Sequence, residues 1–82
     1  MDDATIREKL LKCFAAVFPD LSPAEIESAS VESTSGWDSI AHVTLLTLVG
    51  EEFGIDVDFE HFEGAITFSE FATLIGEVVS HG

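Results

Sequence analysis

After Lys12 the chain contains no lysine and no arginine. Its only bases, Arg7, Lys9 and Lys12, stand near the N-terminus and face 16 acids, for a formal net charge of −13 over 82 residues. Such a surface repels nucleic-acid phosphates and anionic lipid, and it steers toward basic protein partners. The single cysteine, Cys13, excludes an internal disulfide. It falls inside an apolar helical pattern, where a cysteine serves as a small buried hydrophobe. No apolar run reaches membrane-spanning length, so no membrane insertion is expected. The opening MDDATIREKL is charged and lacks an apolar stretch, so no signal peptide is expected either, and the setting read from it is a reducing cytoplasm. Strand-like alternation, internal repeats and low-complexity tracts are all missing.

What is present is enough for one domain, residues 1–82. A chain of this size buries about 60–65 % of its unfolded surface, too little for a full core and a large active-site cleft together. At 46 % hydrophobic residues it is nonetheless a folding sequence rather than a disordered acidic tail.

The apolar spacing predicts helices. Ile6, Leu10, Phe14 and Val17, widened by Leu11 and Phe18, give a first helix from about Asp3 to Val17. Asp2 and Asp3 suit its positive end, Thr5 and Glu8 fit a capping box, and Pro19 marks its stop. Residues 19–36 form a long polar connection, and such loops are often functional. Within it Ser22-Pro23-Ala24-Glu25 reads as one short turn, and Leu21, Ile26 and Val31 are expected to pin the segment to the core. A second helix runs from Asp38 or Ser39 to Phe53, with Asp38 as cap and Gly54 as stop. Gly50 inside it costs roughly 1 kcal/mol relative to alanine, which fits either close approach of another backbone or a partner, or a tolerated defect. Asp58 caps a short helix over Phe59–Glu63, ended by Gly64. A last helix covers Phe68 to Ser80, opened by Thr67 and Glu70 as a capping box. The expected fold is all-α: three main helices and one short one in a small four-helix bundle, with the long loop between the first and second.

The second helix is apolar almost all round. Leu45, Leu48 and Val49 cluster on one side, flanked by Ala41 and Phe53, while Ile40, Val43 and Thr47 point away. A surface helix needs only one stripe, so the surplus asks for a second surface. Val43 and Thr47, rimmed by Asp38, Glu51 and Glu52, are the expected partner contact.

Three chemistries compete at the Gly36-Trp37-Asp38-Ser39-Ile40 stretch and its neighbours. Ser39 as a hydrolase nucleophile lacks the flanking glycines of the nucleophile elbow, and His42, one turn on and near enough to suggest a base, reads as a partly buried packing residue. Asp56-Val57-Asp58-Phe59-Glu60 opens like a calcium loop, yet His61 and Thr67 stand where that loop needs glycine and glutamate. His42, His61 and His81 do not have zinc-ligand spacing. Ser39 as an attachment point is the third, since free N–H groups and the helix dipole at a helix mouth accommodate a phosphodiester, although the Asp-Ser pair taken alone favours plain capping.

A wider pattern bears on that choice. Asp38-Ser39-Ile40, then Val43, Leu45 and Val49, then Glu51-Glu52-Phe53-Gly54-Ile55, then Thr67 before the last helix, resembles the acyl carrier protein family over nearly the whole chain. The resemblance implies a 4′-phosphopantetheine arm on Ser39 beside Asp38, added from coenzyme A by a Mg²⁺-dependent phosphopantetheinyl transferase. It implies a monomeric, non-catalytic carrier that holds an acyl group as a thioester, shelters it between helices and docks on loading and transfer enzymes with basic surfaces. Ile40 replaces the family's usual leucine. The turns after Ser39 carry Ala41, His42, Thr44 and Thr47 where fatty-acid carriers are more acidic. Trp37 to Val43 looks more like stand-alone carriers of specialised lipid, polyketide or cell-surface pathways. An aminoacyl or peptidyl carrier, and an acidic adaptor without a prosthetic group, remain alternatives.

The charge makes the first testable expectation. Self-repulsion among so many acids is relieved by counter-ions and by protonation. The melting temperature at pH 7 should therefore rise by several degrees with added salt, Mg²⁺ or Ca²⁺, and stability should increase as pH falls from 7 toward the carboxylate range. A melting temperature indifferent to salt contradicts the repulsion argument.

Overall fold

A computed structural model describes residues 2–81, and the side chains of residues 2–79. It contains five helices: α1 (Asp3–Val17), α2 (Pro23–Glu27), α3 (Ser39–Phe53), α4 (Phe59–Phe62) and α5 (Phe68–His81). Among the described residues there is no strand, only one isolated antiparallel bridge between Ser30 and Thr67. The helix count exceeds the expected four because the turn at Ser22–Glu25 is a capped helix of its own. Ser22 Oγ accepts from the Glu25 N–H at 3.2 Å, and Glu25 Oε1 accepts from the Ser22 N–H at 2.9 Å.

The other caps follow the sequence with local differences. Asp2 Oδ1 accepts from the Thr5 N–H at 2.8 Å, so Asp2 caps α1 and Thr5 lies inside the helix rather than opening a box with Glu8. Asp38 Oδ1 accepts from the Ala41 N–H at 2.9 Å, and Gly54 (φ 63°) closes α3 in the left-handed conformation that favours glycine. Helix α4 stops one residue early, with Glu63 as a right-handed C-cap, and Gly64 is not a positive-φ stop. Before α5, Thr67 Oγ1 accepts from the Glu70 N–H at 3.1 Å, but the Glu70 carboxylate turns back to the Ile66 N–H instead of that of Thr67. Helix α5 runs one residue past Ser80 to His81, whose side chain lies outside the described residues.

The core is aromatic. Phe14 of α1 is fully buried and meets Trp37, Phe68 and Phe71 edge-on at centroid distances of 5.3, 5.2 and 5.5 Å. Leu45, Leu46, Val49 and Phe53 are the buried stripe of α3; Leu46 belongs to it, whereas Leu48 is only partly covered. Cys13 is buried, and desolvation first, then the Glu52 carboxylate, push its thiol up to about 11. That matches its reading as a packing residue rather than a nucleophile.

The long connection is pinned by Ile26, Ala29 and Trp37, with Leu21 partly covered. Val31 is not an anchor: its side chain is 36 % exposed, and only its backbone is tied down, donating to the Ile66 carbonyl at 2.8 Å. Phe68 returns the bond, its N–H donating to the Ala29 carbonyl at 3.2 Å. Arg7 and Glu27 join α1 to α2 through an ion pair at 3.1 Å, but both are half-exposed and such pairs contribute about 0–1 kcal/mol.

Two cap carboxylates bend the pH expectation. Hydrogen bonds from Thr5 to Asp2 and from Ser22 to Glu25 hold both carboxyls below their ordinary values. Their stabilising contribution is complete above the ordinary carboxylate range and is lost as pH falls through it. Stability should therefore pass through a maximum on acidification rather than rise without limit.

Gly50 has the expected reason to be glycine. A Cβ there would lie 3.3 Å from the Ile55 carbonyl oxygen and 3.4 Å from Val57 Cγ2, where the chain turns back after α3. A Cβ at Gly76 would meet only Ile6 Cδ1, at 3.9 Å. Gly76→Ala should thus gain about 1 kcal/mol of helix propensity, while Gly50→Ala should gain none and lose stability by roughly 1 kcal/mol or more. Chemical denaturation of the two variants checks this, and equal stabilisation of both would refute the close-approach account.

Candidate functional site

The approach to α3 is a built turn. Ser30 and Ser33 exchange backbone-to-hydroxyl bonds at 3.2 and 3.1 Å and touch hydroxyl to hydroxyl at 2.9 Å. Thr34 donates back to the Ser30 carbonyl, Trp37 donates to that of Thr34, and Gly36 (φ 94°) takes the left-handed conformation that releases the chain toward α3. The Trp37 side chain then dives inward, only 4 % exposed, against Phe14, Phe18 and Phe71. With the indole buried and Asp38 capping, Ser39 emerges as the first residue of α3 with its side chain exposed.

His42 holds the arrangement. The indole N–H can only donate, and it donates to His42 Nδ1 at 3.3 Å. The imidazole proton therefore sits on Nε2, which donates to the Phe62 carbonyl of α4 at 3.1 Å. The ring also stacks on Trp37 at 6.3 Å and lies 5.5 Å from Phe71. Both nitrogens are committed, so neither is free to take a proton from Ser39.

Ser39 itself has no structural duty. Among the described residues its hydroxyl makes no hydrogen bond, and the N–H groups of Ser39 and Ile40 have no acceptor, because Asp38 reaches the Ala41 N–H instead. The cap that an Asp-Ser pair advertises is thus made by Asp38 alone. Ser39 and Asp38 border an open cleft of about 410 Å³ whose other walls are Val31, Trp37, His42, Phe59, Glu63 and Ile66. Val31, Phe59 and Ile66 are 36 %, 47 % and 44 % exposed.

A second groove of about 360 Å³ lies on the other side of Phe59 and is bordered by Val43, Thr47, Glu51, Ile55, Asp56 and Val57. Phe59 lines both concavities, and Ile40 and Val43 on α3 are 78 % and 49 % exposed. The hydroxyls of Thr44 and Thr47 turn back to the Ile40 and Val43 carbonyls at 3.0 and 3.1 Å, so this face of α3 is less polar than its composition indicates. Val43, Thr47 and Glu51 are together, as read from the sequence. Glu52 is not with them: it is half-buried on the side of α3 that faces Cys13 of α1. Asp38 belongs to the Ser39 cleft rather than to the Val43 groove.

The sequence reading missed Phe59, Ile66 and Val31 as walls beside Ser39. Their signal was an apolar residue stranded in a polar stretch or at the outer side of a short helix. Among the described residues no cluster of three metal-ligating side chains occurs, and no helix is long and apolar enough to cross a membrane. Compared with family models, with curated proteins and with solved structures, the chain finds no match.

His42→Ala tests the lock. It strands the buried indole N–H, while the Phe62 carbonyl keeps the Ala65 N–H at 3.0 Å, and should cost about 1–2 kcal/mol in denaturant unfolding. A loss near zero would mean that these bonds do not position the start of α3.

Proposed function

We propose that the chain is a carrier protein of the acyl carrier type, with 4′-phosphopantetheine attached through Ser39. In this reading α1, α3, α4 and α5 are the four helices of the carrier bundle, and α2 belongs to its long connection. One observation carries it: an exposed serine hydroxyl with no hydrogen bond, at the mouth of a helix whose first N–H groups are unpaired, on the rim of an apolar-walled cleft. The residues suit the group. The Ser39 and Ile40 N–H groups and the dipole of a 15-residue helix offset a phosphodiester's charge. Val31, Phe59 and Ile66 give apolar surface to the arm's alkyl and dimethyl portions. When attached, the group supplies a thiol that carries an acyl unit as a thioester. Asp38 keeps the helix mouth open by capping the third N–H group of the turn and leaving the first two free.

The partners are proteins. A phosphopantetheinyl transferase must reach Ser39, and loading and transfer enzymes meet the face formed by Ile40, Val43 and Thr47. Glu51 and Asp56 edge this face, and with a net charge of −13 they favour basic docking surfaces. Glu52, on the side of α3 toward Cys13 of α1, lies off this face. The cargo is acyl, with an aminoacyl or peptidyl unit as the alternative.

Incubation with coenzyme A, Mg²⁺ and a broad-specificity transferase should add the mass of one arm, while Ser39→Ala folds normally and gains nothing. Val43→Asp should keep its melting temperature within a few degrees and slow transfer by a partner on the order of tenfold. No mass gain with several transferases would support the adaptor reading instead, and an unfolded Val43→Asp would place that residue in the core.

A further inference from the structure

The space beneath the Ser39 cleft is filled. Trp37 and His42 form its floor, tied to each other and to α4 by the Trp37 Nε1–His42 Nδ1 and His42 Nε2–Phe62 carbonyl bonds. Immediately below lies Phe71, 0 % exposed, with ring centroids 6.0 Å from Trp37, 5.5 Å from His42 and 5.7 Å from Phe62. Phe14 closes the other side of Phe71 at 5.5 Å. No side chain in this stack is small, and each ring is in contact with its neighbours. A chain entering between α3, α4 and α5 from Ser39 would have to break both His42 bonds and displace the indole, leaving the buried indole N–H without a partner.

Resting on the carrier reading above, we infer that the cargo of this protein is short or polar and stays outside the bundle, lying in the open cleft walled by Val31, Phe59 and Ile66. This departs from the shelter between helices that the family resemblance implies. The cleft covers a small acyl unit on one side and leaves the other to water or to the docked enzyme. A long alkyl chain finds neither an interior nor enough wall, and it exposes its surplus methylenes. The aromatic floor that holds Ser39 outward is also what excludes that cargo, so presentation and selectivity come from the same contacts.

The test loads the full chain with an acetyl or a palmitoyl arm from the corresponding acyl-coenzyme A, with intact mass confirming each product. Two readouts follow: cleavage of the thioester by hydroxylamine, and the fluorescence of Trp37, the only tryptophan. A sequestered thioester is cleaved only after the structure opens, and cleavage slows in proportion. At a dilution where light scattering shows both forms monomeric, acetyl and palmitoyl forms should be cleaved at rates within about twofold of each other, with Trp37 emission unchanged by either. Protection of the palmitoyl thioester by about tenfold or more, or a shifted Trp37 emission in that form alone, would show that a long chain enters the bundle and would overturn the inference while leaving the carrier reading intact. Failure of both arms to attach would overturn the carrier reading and this inference with it.

Discussion

Trp37 donates its indole N–H to His42 across the first turn of α3, and the position of Ser39 depends on that contact. The indole belongs to the loop and the imidazole to the helix, so the bond fixes where one becomes the other. The second imidazole nitrogen reaches the Phe62 carbonyl and brings α4 to the same point. Around this junction Phe14 and Phe71 pack edge-on at 5.5 Å, which makes the start of α3 an extension of the core rather than a loose loop end. Burying a tryptophan one residue before the cap turns the following residues outward, and Ser39 is the second of them.

Two opposing demands meet on the surface. Sixteen acids against three bases keep the molecule charged, and the bases are drawn toward α1, where Arg7 pairs with Glu27 and Lys9 stands over the Phe53 ring. The face bearing Ser39 therefore has acids and apolar side chains but no lysine or arginine. Ile40, Val43, Phe59 and Ile66 are exposed there because each stands on the outer side of an element whose inner side is already filled by Phe62, Phe68 or the α3 stripe. A partner covering that face gains apolar burial at the centre and charge complementarity at the rim.

Much of this was legible in the residues, and the division follows the range of the interactions. Helix ends set by neighbours three or four residues apart were readable: Asp38, Ser22 with Glu25, and Gly54 act where their chemistry places them. Even there Thr5 and Glu8 misled, since Asp2 stood one turn earlier with an equally good acceptor. The apolar stripes gave the long helices, and the close approach at Gly50 was visible as an unexplained glycine. What depended on tertiary placement was not readable. Val31 is apolar in a polar loop whether it faces inward or outward, and only its backbone bond to Ile66 decides. Glu51 and Glu52 are neighbours in sequence but about 100° apart around a helix, so one rims the groove and the other faces α1. His42 was recognisable as a packing residue, but its double commitment requires α4, which no local pattern positions.

What Ser39 carries in the cell decides whether the protein is a carrier. Peptide-level mass spectrometry of the protein isolated from cells that make it addresses this directly. The peptide containing Gly36 to Ile40 should bear a phosphopantetheinyl group on Ser39 and release it as a characteristic fragment. Ser39 found unmodified throughout, or the group found on a different serine such as Ser33 or Ser35, would contradict the carrier reading.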